Sequence, residues 1–414
     1  MTYAFGITTP DPSTVGLDAS DEQRLTEFVS RAHQHGVKAS LSIGGWTGSR
    51  YFSTAVGSSR NRTAFANALT NVVRRYNLDG LDFDWEYPGV QGIGCNLVNP
   101  NDTANFLLFL QEFRGTSLGS SLILSAAVYV TPFADASRSP SKDVSGFADV
   151  LDYIAIMNYD LKSNTAIGAG PSSPMDDSCA PSGAKWGSAA SSVAAWSQAG
   201  IPTNKLVLGV PAYGHSYVIS PSVALNRTNA SSLNSFPSYN PSNRPIGDKW
   251  DGPGGLDVCG VSQGPGGVYT YWGLIEEGFL NPDGSAGDGV ISRYDECSET
   301  PFAYKPSDQI YVSYEDTRSF AAKGDFIYSS GLAGFAMWEA GGDYHDALLD
   351  SIRNASLYGN PSVRTRNTTA SSGGTQSTST QREDSSTPAR FLASVSLPAL
   401  VFLNLIVVQL ASFS

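Results

Sequence analysis

Apolar residues in this chain recur in two alternating rhythms. In "SDEQRLTEFVSRAHQHG" Leu25, Phe28, Val29 and Ala32 fall at helical spacing. Ser20 with Gln23 reads as a capping box, and Gly36 ends the run. A short apolar run, "VKASLSIGG", follows as a strand, and the pair of rhythms repeats. "NRTAFANALTNVVRRYN" leads into "GLDFDWEY", and "TANFLLFLQEFR" into "SLILSAAVYV". A short helix near Val144 to Val150 precedes "LDYIAIMNYDL", and one around Ala189 to Ser197 precedes "LVLGVPAY". A helix near Thr317 to Ile327 leads to "GLAGFAMWEA", and a last helix spans about Tyr344 to Arg353.

Such alternation predicts a parallel sheet with helical crossovers. With "TYAFG" at the start, seven strands are legible. A (β/α)8 barrel closes only at a matching strand number, so the expected architecture is a TIM barrel with its first strand apparently missing. Between Ser216 and about Ile310 the rhythm stops and Gly, Pro, Ser and Asn become frequent. That stretch is too long for a bare loop, so a small α+β insertion is expected after the seventh barrel strand, with a helix near Tyr271 to Gly278. The expected domains are a barrel over 1–216 and 311–358, an insertion over 217–310, a Ser/Thr-rich linker over 359–390 and an apolar tail over 391–414. The insertion sits at the C-terminal strand ends, where such barrels carry their sites, and would wall a cleft.

The tail, "FLASVSLPALVFLNLIVVQLASFS", follows small residues and a polar spacer, which is the order of a lipid-anchor attachment signal. A transmembrane helix is the other reading, weakened by Pro398, Asn404 and Gln409. Six N-x-S/T sequons, at Asn61, Asn101, Asn226, Asn229, Asn354 and Asn367, would be glycan acceptors in the secretory route. The start, "MTYAFGITTPDP", has no basic segment followed by an apolar one, so no signal peptide is visible. One expectation covers both absences at this end: residues preceding Met1 would hold the leader and the first strand.

Across 414 residues the net charge is -12, with a pI near 4.7. Lys and Arg clusters suited to a phosphate backbone are lacking, which argues against nucleic acid as a partner. Four Cys and four His show no metal-site spacing, so no metal or organic cofactor is implied.

The chemistry concentrates in "LDGLDFDWEYPG". On a strand, Asp82, Asp84 and Glu86 project to one face while Leu81, Phe83 and Trp85 project to the other. The apolar face suits the surrounding helices and leaves the acidic one inside the barrel. Carboxylates crowded there cannot all ionise, so at least one holds a proton near neutral pH, as a general acid requires. A solvated strand face or a hard-cation site would carry the same pattern. Against these stand the flanking Phe83, Trp85 and Tyr87 and the lack of a phosphate-cradling glycine motif.

"DGLDFDWEYP" resembles the D-G-x-D-x-D-x-E signature of family 18 glycoside hydrolases, the chitinases. Further stretches are similar and in order: "SIGGW" (Ser42 to Trp46), "MNYD" (Met157 to Asp160), "GVPAYG" (Gly209 to Gly214) and "AMWEAGGD" near the end. The resemblance covers about Met1 to Ser356 and the insertion. It implies hydrolysis of β-1,4 links between N-acetylglucosamine units, with retention, through a nucleophile supplied by the sugar's own acetamido group. Glu86 would be acid and then base, Asp84 would hold the acetamido N–H, and Asp82 would share a proton with Asp84. Tyr159 and Asp160 would orient the acetamido group beside Met157. Trp338 would floor the sugar site, with Trp46, Tyr213, Tyr87, Ser42 and Arg293 as further contacts.

The resemblance also implies a first strand that supplies a Tyr beside the relay, which the chain as given lacks. Cys95 and Cys179 lie on one rim and are expected to bridge there, while Cys259 and Cys297 would staple the insertion. The whole reads as a secreted or surface-anchored monomer acting on chitin or chitooligosaccharides. An endo-β-N-acetylglucosaminidase of N-glycans and a non-hydrolytic chitin-binding lectin on the same barrel are the alternatives.

Overall fold

The computed structural model describes residues 1–161 and 167–357, together with the backbone of 405–411. Within the unit spanning Met1–Ser356 and the segment from Leu405, eight parallel strands close on themselves. In order around the barrel they are Thr2–Thr8, Ser40–Gly44, Gly80–Asp84, Ile123–Val128, Tyr153–Ile156, Leu206–Pro211, Gly334–Trp338 and Leu405–Ala411.

The last of these pairs in parallel with Gly334–Trp338 on one side and with Thr2–Thr8 on the other. The position expected to be vacant is thus filled from the apolar tail. Within the tail, the run "LIVVQLA" forms a strand here. No helix among the described residues is long and apolar enough to cross a membrane. The linker 359–390, the rest of the tail and Asn367 lie outside the described residues.

The segment 81–85 is stabilised by the helices that pack on its outer face. Trp85 stacks on Phe52 with ring centroids 5.0 Å apart and meets Phe106 edge-on. Phe83 meets Phe106 and Phe109 in the Asp102–Arg114 helix. Burying aromatic side chains of this size contributes about 2 to 3 kcal/mol each. Leu81, Phe83 and Trp85 therefore face outward, and their alternation turns Asp82 and Asp84 into the barrel, as the sequence pattern requires.

The first helix, Ala19–Gln34, is capped by Asp18 rather than by Ser20. The Asp18 carboxylate accepts from the Asp21 backbone N–H and also from Ser20 Oγ. A carboxylate two residues upstream reaches the exposed amides of the first turn and recruits the serine as its own donor.

The insertion builds a five-stranded antiparallel sheet. Its strands in order are Val268–Thr270, Tyr213–Val218, Ile310–Ser313, Thr300–Lys305 and Ile291–Asp295. Its outermost strands by sequence begin at Tyr213 and end at Ser313, wider at each end than 217–310. Phe302, Tyr304, Tyr311, Ile219 and Leu233 form a separate small core.

The cysteines pair otherwise than expected. Cys95 bonds Cys259 and Cys179 bonds Cys297, so each disulfide joins a barrel loop to the insertion. Two loops on one rim are brought closer to the unit standing over that rim than to each other, which proximity along the chain does not reveal.

Candidate active site

Register across three strands places Ser42, Asp82 and Ser125 in one row. Ser42 Oγ donates to Asp82 Oδ2 at 2.7 Å and Ser125 Oγ donates to Asp82 Oδ1 at 2.6 Å. Asp82 is buried, and burial raises its proton affinity against these two bonds. One step up the strand, Asp84 is buried as well. Its Oδ1 has no hydrogen-bond partner among the described residues. Burial first, then the charges of Glu86 and Asp82, hold its carboxyl well above the usual carboxylate range. Such a group keeps its proton or finds a donor.

Glu86 lies beyond the strand end and is 8% exposed. Burial pushes its carboxyl up to about 7, the Tyr87 hydroxyl opposing this as a donor and Asp160 adding to it. Its backbone is gripped on both sides. Ser49 Oγ accepts from the Glu86 N–H at 3.0 Å, and Asn96 Nδ2 donates to the Glu86 carbonyl at 2.7 Å. A general acid aimed this way needs its main chain held rigid.

The glycines of "SIGGW" have a steric cause. Gly44 sits at φ 113°, and a Cβ there would come within 2.1 Å of the Asp84 carbonyl oxygen. A Cβ on Gly45 would meet the ring of Phe5 at 2.9 Å. Phe5 in turn lies 5.5 Å from Trp338, centroid to centroid, so the first and seventh strands along the chain share one aromatic floor. The backbone is cis at Ala4–Phe5, Glu86–Tyr87 and Trp338–Glu339.

Tyr159 and Tyr213 meet edge-on at 6.4 Å. Burial holds both hydroxyls protonated, with Asp84 next in importance at Tyr159 and Asp160 at Tyr213. Asp160 is left-handed at φ 55°, and its carboxylate Oδ1 accepts from His215 Nε2 at 2.7 Å. Met157 is buried directly after the Tyr153–Ile156 strand. Tyr87 meets the exposed Tyr129 edge-on at 5.3 Å, and Trp46 is exposed on the rim after Ser40–Gly44.

Asp82, Asp84, Glu86, Ser42, Tyr87, Tyr159, Asp160 and Tyr213 thus form one interacting group. Met157, Trp338 and Trp46 share its rim. Arg293 does not join it. Its guanidinium pairs with Asp295 and lines a cavity of about 280 Å³ with Trp186 and Phe236, beside the Cys179–Cys297 bridge. Among the described residues no group of three or more His, Cys, Asp or Glu is arranged to hold a metal ion.

Phe5, Ser49, Asn96, Ser125, Tyr129 and His215 escaped the sequence reading. Ser125 had a usable signal, since a serine inside the apolar run "SLILSAAVYV" asks for a buried partner. Ser49 and Asn96 act through loop geometry and had none.

Comparison with known proteins bears on this group. The sequence profile "Glycosyl hydrolases family 18" matches residues 1–343. A "chitinase-like effector" of Moniliophthora roreri is 46% identical over 87% of this chain and 87% of its own length. Chitinase A1 of Niallia circulans is 30% identical over 77% of this chain and 42% of its own. The crystal structure of a chitinase from Rhizomucor miehei superimposes with a TM-score of 0.77 at 33% identity, covering 86% of this chain and 94% of that one.

Proposed function

Since the chain belongs to family 18 of the glycosyl hydrolases, we propose that it is a chitinase acting on β-1,4-linked N-acetylglucosamine by a retaining, substrate-assisted mechanism. The observation that carries this reading is the buried row of carboxylates. Glu86, with its carboxyl near 7, stands at the mouth, and Asp84 presents beneath it an oxygen that has no partner among the described residues.

In this mechanism Glu86 donates its proton to the glycosidic oxygen as that bond to the anomeric carbon breaks. The acetamido carbonyl oxygen attacks the same carbon, giving a cyclic oxazolinium ion. Asp84 Oδ1 accepts the acetamido N–H and compensates its charge, while the proton between Asp82 and Asp84 moves toward Asp82. The Glu86 carboxylate then takes a proton from water, which opens the ring with net retention. Tyr159 and Tyr213 donate to the acetamido group, and Trp338 supports the sugar face.

Reducing-end release from chitohexaose, with the product anomer read by NMR, tests this. Wild type should release β-anomer first, and Glu86→Gln should lose roughly 10²- to 10⁴-fold in rate while still binding. Equal activity in both would remove Glu86 from the chemistry. Release from a high-mannose glycoprotein but not from chitin oligomers would instead support an N-glycan enzyme.

The name of the 46% identical relative favours a second reading, in which the barrel binds chitin without cleaving it. The same assay decides, because that protein would bind chitohexaose and release nothing. We further propose a location outside the cell. Asn101, Asn226, Asn229 and Asn354 are exposed, and two disulfides suit an oxidising compartment. A mass loss on deglycosylation of the native protein would support it.

A further inference from the structure

The loop after the carboxylate strand folds back on the residue that opens it. Gly92 passes so close that a Cβ there would come within 2.1 Å of the Glu86 carbonyl oxygen. Asn96, 5% exposed, donates through Nδ2 to the same oxygen at 2.7 Å. Its Oδ1 has no hydrogen-bond partner among the described residues, so the Glu86 carbonyl is the one polar contact that holds this amide there. A buried amide with a single anchor takes its position from the main chain beside it. That main chain is Cys95, bonded to Cys259 of the insertion.

Cys259 stands in a stiff turn. The Asp257 carboxylate accepts from the Cys259 and Val261 backbone N–H groups and from Gln263 Nε2, each at 2.8 Å. Arg50 also meets this turn across the rim. Its Nη1 donates to the Val258 carbonyl at 3.5 Å, while its own carbonyl accepts from the Leu97 N–H at 3.0 Å. A contact of 3.5 Å is weak, which leaves the covalent bond as the firm link. The two ends of the loop are held separately, since the Asp102 carboxylate accepts from the Gly89 and Asn99 N–H groups. The bridge therefore acts on the middle of the loop, where Asn96 is.

We propose that the Cys95–Cys259 bridge is a positioning element for the general acid: through Asn96 it fixes the Glu86 main chain, so a bond to the insertion sets how well the carboxyl is aimed. With the bridge cut, Asn96 rides on a loop tethered only near its ends, and Glu86 loses one side of its grip and part of its cover from water. The other bridge is a built-in comparison. Cys179–Cys297 also joins a barrel loop to the insertion, closing a segment of 118 residues against 164, but it lies beside Arg293, apart from the carboxylate group. Losing either should cost similar stability through chain entropy. Only the first should change the chemistry.

This inference rests on the chitinase reading, and two measurements keep their failures apart. On chitohexaose, Cys95→Ser/Cys259→Ser should lose about 10- to 100-fold in kcat with KM within about twofold of wild type, while Cys179→Ser/Cys297→Ser keeps kcat within about twofold. Asn96→Ala should lose as much as the first pair, and combining it with that pair should cost no more than either alone, because both act on one contact. Equal kcat losses in the two bridge variants, or losses that multiply, overturn the proposal. The second measurement needs no turnover: the Glu86 carboxyl is titrated by isotope-edited NMR and assigned with Glu86→Gln. Burial is the main reason that it titrates near 7, with Asp160, Asp84 and the Tyr87, Tyr159 and Tyr213 hydroxyls around it. Admitting water should lower the titration by about one unit in the first pair and leave it in place in the second. Coincident titrations in wild type and both pairs overturn the proposal. A titration lowered only in the first pair, in a protein that hydrolyses nothing, leaves the coupling standing and removes the chitinase reading instead.

Discussion

Glu86 carries a consequence for stability as well as for catalysis. Its carboxyl sits near 7 in the fold against 4.5 when free, so the folded chain binds the proton more tightly than the unfolded one. Between those values the native state holds more protons, and stability falls as pH rises. The loss begins above about 4.5, is complete past about 7 and amounts to the order of 3 kcal/mol. Glu86→Gln removes the titration. We expect it to melt higher than wild type at pH 8 and to match it at pH 4, by calorimetry across that range. A constant difference at both pH values would mean that Glu86 does not titrate in this interval. The acid function has the matching sign, being present below about pH 7 and lost above it. This much was legible from alternation and like-charge crowding alone. The Glu86 clamp of Ser49 and Asn96 was not, because both come from loops whose path depends on tertiary contacts.

At the level of the strand, the site is a register problem. Ser42, Asp82 and Ser125 meet because three parallel strands align them within one row, and a one-residue slip would turn every carboxylate outward. Replacing both serines by alanine removes two donors to Asp82 and raises its proton affinity further. The relay needs one ionised member, so the acid limb of kcat should move to higher pH while the alkaline limb stays with Glu86. Gly44→Ala tests the backbone instead. A Cβ 2.1 Å from the Asp84 carbonyl at a left-handed φ cannot be accommodated in place. The expected loss is of the order of 3 kcal/mol or more, read by denaturant unfolding. Gly209 shows the same steric limit on the opposite strand, where a Cβ would come within 2.4 Å of the Ile156 carbonyl oxygen and 2.9 Å of the Tyr159 ring. The sequence marks these glycines as unusual within strands but does not say which neighbour forbids a side chain.

Across the whole molecule, the βα rhythm and the insertion are legible in the chain, whereas the ties between the pieces are not. The two disulfides close chain segments of 164 and 118 residues, and both run from barrel to insertion. In the chain-entropy account each is worth about 5 kcal/mol at most. The same holds for the barrel's closure. An apolar C-terminal run reads equally as anchor or as strand, since local composition does not record a partner some four hundred residues away. The strand Leu405–Ala411 meets both Thr2–Thr8 and Gly334–Trp338, so it joins the two ends of a sheet that is otherwise open. Those ends carry Phe5 and Trp338, whose rings form the aromatic floor. A chain ending at Leu357 would leave both edges unpaired, and unpaired edges of a buried parallel sheet leave main-chain donors without acceptors. We expect this truncation to lower the melting temperature by about 10 °C or more and to raise KM for chitohexaose before it lowers kcat, since the floor is disturbed while the carboxylate row stays paired on both sides. An unchanged melting curve with unchanged KM would place the tail outside the barrel, where an anchor signal would put it.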